Sequence, residues 1–139
     1  MTPETLARLH AAAFQDQRAW SAGEFAQLID SEHVFLTAHA HGFALWRAVA
    51  GEAELLTIAV DPARQGQGIG HTLMQQGMQQ AATIADTVFL EVAQDNAAAC
   101  ALYDRLGFKV MARRPAYYQS GPTRTDALVM RASLPITRT

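Results

Sequence analysis

Two stretches of this chain place residue types at spacings that could do chemistry. The first is Asp61-Pro62-Ala63-Arg64-Gln65-Gly66-Gln67-Gly68-Ile69-Gly70-His71, where three glycines stand at alternate positions. Glycines leave the backbone N–H groups of a loop uncovered by side chains. A helical pattern runs on from Ile69 to Ala85, so these amides open a helix N-terminus, a natural site for an anion and above all a phosphate. The dinucleotide fingerprint would need glycine where His71 stands, and a Walker loop would need Gly-Lys-Ser/Thr where there is no lysine. Both fail. The second stretch is Val88-Phe89-Leu90-Glu91-Val92, in which Glu91 is a lone carboxylate in an apolar strand. Desolvation there would raise its pKa and suit it to general-base work.

Composition bounds what these groups could serve. A chain of 139 residues is long enough for one cored domain, expected over 1–134 with a loose tail at 135–139. Net charge is −2 with pI ≈ 6.2, which makes no electrostatic case for nucleic acid. No apolar run approaches membrane length, and the N-terminus shows no signal-peptide pattern. The single cysteine, Cys100, rules out an internal disulfide and fits a reducing compartment. The expectation is a cytoplasmic protein, monomer or dimer, with neither nucleic acid nor membrane as partner.

The elements that must position the two stretches are legible in order. Thr2-Pro3-Glu4 starts a helix carrying Leu6, Leu9, Ala13 and Phe14 at helical spacing. Ser21 caps a second, with Glu24 at the capping-box position and Phe25, Leu28 and Ile29 as its stripe. Strands are expected over Val34–Ala40 and Phe43–Val49, then, after a break at Gly51, over Ala53–Val60. The glycine loop and its helix follow, with Leu73, Met74, Met78 and Ile84 as core. Val88–Val92 reads as a central buried strand. Asp95 or Asn96 caps a helix from Ala97 to Leu106, ended by Gly107 in a left-handed conformation. Val110–Tyr118 and Ala127–Ala132 close the chain around a turn rich in Gly121, Pro122 and Thr123. The order implies an α/β (α+β mixed) fold, a mixed central sheet with helices on both faces.

Gln65-x-x-Gly68-x-Gly70 resembles the Q/R-x-x-G-x-G/A pattern of the GNAT superfamily of N-acetyltransferases. Three further stretches resemble one branch of it, the acetyltransferases acting on the N-terminal alanine of a small-subunit ribosomal protein. They are His10-Ala-Ala-Ala-Phe14 with Ala19-Trp20-Ser21 and Phe25; Glu54 to Pro62; and Leu90-Glu91-Val92 through Asn96, Ala101-Leu102-Tyr103, Leu106-Gly107-Phe108, Arg114 and Tyr117-Tyr118. The resemblance implies the GNAT-type acyl-CoA N-acyltransferase fold, here without the usual first strand. The branch often carries arginine after Leu-Glu-Val, and here Ala93-Gln94-Asp95 follows.

The resemblance also implies roles. Acetyl-CoA is the co-substrate and no metal is needed. The amides of Gln65, Gly66, Gln67, Gly68, Ile69 and Gly70 would hold its pyrophosphate. The strand at Ile58, Ala59 and Val60 would pair with the pantetheine arm like an added strand. That strand splays from its neighbour in the family, exposing main-chain N–H groups near Ile58 to the acetyl carbonyl. Asn96 would cap its helix and touch pantetheine. Glu91 is the expected base, directly or through one water, with Glu54 its rival. Tyr103, touching the cofactor, is the expected acid for the departing thiolate. Trp20, Glu54, Arg114, Tyr117 and Tyr118 would line the acceptor groove. The acceptor is a primary amine, in the closest branch a protein N-terminus and a ribosomal one. A small-molecule or polyamine N-acetyltransferase and a non-catalytic acyl-CoA-binding module are the alternatives. Cys100 invites a covalent acyl-enzyme, but no histidine lies near it in sequence, so it reads as a small buried thiol. His39 and His41 read as turn residues, not metal ligands.

Overall fold

An apolar run with no polar flank belongs in the middle of a sheet, and that is where Val88–Val92 lies. The computed structural model describes residues 1–14, 18–120 and 123–135. Among them the elements run α1 (Pro3–Ala13), α2 (Ala22–Ile29), β1 (Val34–His39), β2 (Gly42–Val49), β3 (Gly51–Val60), a 3-10 turn (Pro62–Arg64), α3 (Ile69–Ala81), β4 (Ala85–Ala93), α4 (Ala97–Arg105), β5 (Lys109–Ser120) and β6 (Thr123–Ser133). The six strands form one sheet in the order β1-β2-β3-β4-β6-β5. Only β3 and β4 pair in parallel, joined through α3; the other neighbours are antiparallel. The sheet is therefore mixed, as expected, and no strand precedes α1 among the described residues.

Each face of the sheet carries its own core. On one side Leu6 of α1 and Phe25 of α2 are fully buried against Phe43, Leu45 and Ala59. On the other, Leu73, Met74 and Met78 of α3 and Tyr103 of α4 pack on Trp46, Leu55, Val88 and Leu90. Local caps fix where the first helices start. The Thr5 N–H donates to Thr2 Oγ1 over 3.1 Å, and Ser21 and Glu24 close a reciprocal capping box.

Several boundaries depart from the sequence reading. Gly51 ends the β2 run as expected, but β3 starts there and not at Ala53: with Ala50 it makes the two-residue turn between the strands, at φ +55° and +82°, the left-handed pair that a tight hairpin requires. Helix α3 stops at Ala81, not Ala85, because the Thr83 hydroxyl donates to the Gln80 carbonyl over 2.7 Å and Ala85 must already pair with Gly51. Ile84 is consequently 61% exposed and not core. β1 ends at His39, where the His41 N–H donates to His39 Nδ1 and turns the chain. Of the two caps expected for α4, Asn96 fills the role, its Oδ1 accepting from the Ala99 N–H over 3.2 Å. Gly121 and Pro122 of the expected turn, and the tail from residue 136, lie outside the described residues.

One close approach sets how deep α3 lies on the sheet. A Cβ at Gly77 would overlap the indole of Trp46, and that indole is held by a donation from Nε1 to Thr37 Oγ1 (3.1 Å), whose hydroxyl donates in turn to the Leu73 carbonyl (3.3 Å). In an open helix, glycine to alanine stabilises by about 1 kcal/mol. Here the sign reverses: Gly77→Ala is expected to destabilise by about 2 kcal/mol through overpacking, read from the midpoint of denaturant unfolding. A variant as stable as the parent would mean that the helix can lift off Trp46.

Candidate active site

The parallel ladder between β3 and β4 is short. It runs from Gly51↔Ala85 to Glu54↔Phe89 and stops. Beyond that point β4 follows β6, pairing as far as Ala93↔Ala127, while β3 follows β2 to Val60↔Gly42. The two strands diverge, and the main-chain groups of β3 that would have faced β4 face a gap instead. This gap is the floor of a cleft of about 800 Å³, within the size range of ligand sites.

A bulge decides which side chains of β3 reach it. Leu45 pairs with Thr57 but Trp46 with Leu55, so Leu56 is the extra residue and the alternation changes sense there. Ala53 and Leu55 pack toward α3 before the bulge; Ile58 and Val60 do so after it, and Ala59 turns into the α1–α2 core at 2% exposure. Ile58 and Val60 thus line the cleft. The side chain of Ala59 does not, and only its backbone can take part.

At one end of the cleft lies the glycine loop. Gly66 and Gly68 sit at φ +83° and +82°, with open space where a Cβ would be. Backbone conformation, not crowding, demands glycine there. Gly68 is also the N-cap of α3 and brings no side chain to cap it, leaving the first-turn N–H groups pointing out of the helix end. Gln65, Gly66, Gly68, Ile69 and Gly70 line the cleft beside Asn96. Gln67 is exposed and does not line it, so only its backbone amide can take part.

Glu91, Tyr103, Tyr117 and Tyr118 line the same cleft. Glu91 is not the isolated, desolvated carboxylate expected from its apolar neighbours. Its side chain is 28% exposed, and Arg114 from β5 pairs with it at 3.1 Å. Arg114 does not line the cleft; its guanidinium is committed to Glu91 and stacks on the Tyr117 ring, 5.4 Å from the centroid. Between Arg114↔Ala127 and Tyr118↔Thr125 β5 bulges, with Ala116 at φ +51° and its N–H donating to Asp126 Oδ1 over 2.8 Å. That pinned bulge sets where the two tyrosines stand.

Tyr103 is 4% exposed, and burial, with smaller contributions from Cys100 and Tyr118, pushes its phenol well above the ordinary value. Burial first, then the Glu91 charge, pushes Tyr118 up to about 12. Both phenols hold their protons near neutrality. Burial also raises the Cys100 thiol, whose Sγ lies 3.8 Å from the Ala93 carbonyl oxygen. A thiol held protonated is not a nucleophile.

The other end is walled by Trp20, Glu54 and the last turn of α1. Glu54, the rival base, is bridged to Arg47 at 2.7 Å. Sequence reasoning gave His10 no role, yet it lines this end, 4% exposed. Its Nδ1 accepts from the Trp20 N–H over 3.2 Å, and its ring stacks on Trp20 at 5.0 Å. The signal available was a histidine at a buried position of an otherwise apolar helix face. Among the described residues no group of three metal-ligating side chains occurs.

A parallel strand pair that splays over a glycine-capped helix, with a carboxylate and a buried phenol in the gap, defines an N-acetyltransferase of the acyl-CoA-binding kind. Residues 2–108 match the Acetyltransferase (GNAT) family, and the chain belongs to that family. It is 37% identical over 137 residues to the [ribosomal protein bS18]-alanine N-acetyltransferase of Escherichia coli K12, covering 92% of this chain and 91% of that protein. It is 36% identical over 135 residues to the N-alpha-acetyltransferase RimI of Mycobacterium tuberculosis, covering 90% and 82%. The crystal structure of the E. coli ribosomal-protein-S18-alanine enzyme superposes with a TM-score of 0.83 at 32% identity, over 96% of this chain and 86% of that one.

The buried histidine makes stability depend on pH. Burial, and next the Arg18 charge, hold the His10 pKa down to about 4, against 6.5 for a free imidazole, with Glu24 opposing. Between those values the unfolded chain binds the proton and the folded one does not. The contribution is complete above pH 6.5 and is lost as pH falls toward 4. Its size is on the order of 2 kcal/mol. Denaturation midpoints measured across that range should fall in the parent and lose this component in His10→Asn.

Proposed function

We propose that this N-acetyltransferase moves an acetyl group from acetyl-CoA directly to the N-terminal α-amino group of a protein, a ribosomal protein being the first candidate. The observation that carries this reading is the near-full-length identity of 37% to the bS18-alanine enzyme. One continuous cleft from the glycine loop to the Trp20–Tyr117 wall supports it.

The residues present fit acetyl-CoA. Bare amides at the α3 N-terminus suit a pyrophosphate, and the free edge of β3 suits an amide-bearing arm that pairs as a strand. When bound, acetyl-CoA supplies an activated thioester. Main-chain N–H groups near Ile58 stabilise the oxyanion in this reading, an effect of about 3 kcal/mol for one fixed donor. Glu91 takes a proton from the acceptor, directly or through one water, as the N–C bond forms. Tyr103, still protonated because it is buried, gives its proton to the sulfur as the C–S bond breaks.

The acceptor class follows from proton economy. An α-amino group has a pKa of about 7.7–8.0, whereas lysine at about 10.4 is almost wholly charged at neutral pH. A base of ordinary strength therefore suffices for an N-terminus. The aromatic wall of Trp20, Tyr117 and Tyr118 suits a peptide chain. A cytoplasmic site of action fits a chain with one free thiol; among the described residues no helix is long and apolar enough to cross a membrane.

Thiol release from acetyl-CoA, followed against peptides with free N-terminal alanine, the same peptides blocked but carrying lysine, and free polyamines, tests the reading. Turnover confined to free N-termini is expected. Polyamine turnover alone would sink it in favour of a small-amine enzyme, and silence with acetyl-CoA bound would favour a binding module. Glu91→Gln and Tyr103→Phe should each lower kcat by about 10²-fold or more with little change in the KM for acetyl-CoA.

A further inference from the structure

One buried titratable side chain of the cleft takes no part in these steps. The His10 ring is enclosed by Phe14, Trp20 and Phe25, with centroids 4.5, 5.0 and 5.6 Å away. Its Nδ1 accepts from the Trp20 backbone N–H. A nitrogen that accepts carries no proton, so the neutral ring holds its proton on Nε2. Nε2 has no hydrogen-bond partner among the described residues, and none of their buried side-chain polar atoms is left sealed without one. Nε2 is therefore not sealed off, and His10 is one of the residues that line the cleft.

We propose that His10 donates from Nε2 to the carbonyl oxygen that follows the acceptor's α-amino group, and so selects an aminoacyl N-terminus over a simple amine. This deepens the proposed function and rests on it. A ring with Nδ1 engaged and Nε2 protonated cannot take the acceptor's proton; it can only donate. What it needs is an oxygen close to the reacting nitrogen. An N-terminal residue has one on the carbon next to its Cα, and a polyamine has none. Burial keeps the ring neutral, so it does not repel an incoming ammonium. The nearest charges, Arg18 and Glu24, neutralise each other in a pair at 2.8 Å.

The test compares the parent enzyme with His10→Asn on two acceptors. One is a peptide with N-terminal alanine; the other is the same peptide with an (E)-alkene in place of its first amide, which removes the oxygen and keeps the shape. Asparagine can still accept from the Trp20 N–H but has no donor at the Nε2 position. The parent should prefer the amide by about 10-fold in kcat/KM and His10→Asn by less than about 2-fold, chiefly through the acceptor KM, with the KM for acetyl-CoA unchanged. Equal preference in both proteins would overturn the inference. If His10→Asn does not fold, His10→Gln, which places an amide N–H near Nε2, should keep the preference, and its loss in a folded His10→Gln would overturn the inference too. Failure of the parent to acetylate the amide peptide would instead strike the protein-N-terminus reading, and this inference with it.

Discussion

A parallel strand pair that runs for four residues and then parts is the constraint on which the site depends. Up to Glu54 and Phe89 the backbone of β3 and β4 is mutually satisfied. Past that point each strand keeps a partner only on its outer side, and β3 presents a row of donors and acceptors to the gap. Backbone groups in a sheet interior need partners. Here β4 supplies no partner beyond Phe89, and the unfilled ladder is the surface on which the proposed donor binding rests. The divergence also explains why the two cores stay distinct. The cleft opens between a wall built on α3 and α4 and a wall built on α1 and α2, each with its own apolar cluster.

The carboxylates in and beside the cleft are paired. Glu91 has Arg114, Glu54 has Arg47 and Glu24 has Arg18. What remains for a ligand is rich in donors: main-chain amides at the loop, the Tyr103 hydroxyl, the His10 imidazole, and the Arg64 and Arg105 side chains that also line the cleft. With its carboxylates paired, a donor-rich interior discriminates through hydrogen-bond geometry, where unpaired carboxylates would draw in any cation. Glu91 illustrates the balance, because its arginine holds it in place while leaving part of it open to the cleft.

Much of this was legible in the sequence because it follows from local rules. Thr2, Ser21 and Glu24 announced two helix starts, the glycine spacing announced the loop, and the unbroken apolar run announced the central strand. What escaped was set by contacts distant in sequence. Ala82-Thr83-Ile84 has nothing that forbids a helix, and α3 ends before it because Ala85 must meet Gly51. The Leu56 bulge leaves no local mark, so three successive residues looked equivalent when one of them faces the other core. The arginine that pairs with Glu91 comes from β5, and no reading of the β4 pentapeptide could supply it. For His10 the position was visible, but its tautomer depends on a backbone N–H from Trp20.

The contact between Gly77 and Trp46 reaches beyond packing. Gly77 lies about 12 Å along the helix axis from Ile69, where α3 meets the glycine loop. With one point of a stiff rod pressed against the sheet, the rod behaves as a lever, and the seat at Gly77 sets the attitude of its far tip. The aim of the loop amides is therefore controlled from a residue that touches no ligand. Drift at position 77 or 46 would surface as altered grip on the donor molecule while every residue of the loop stayed the same.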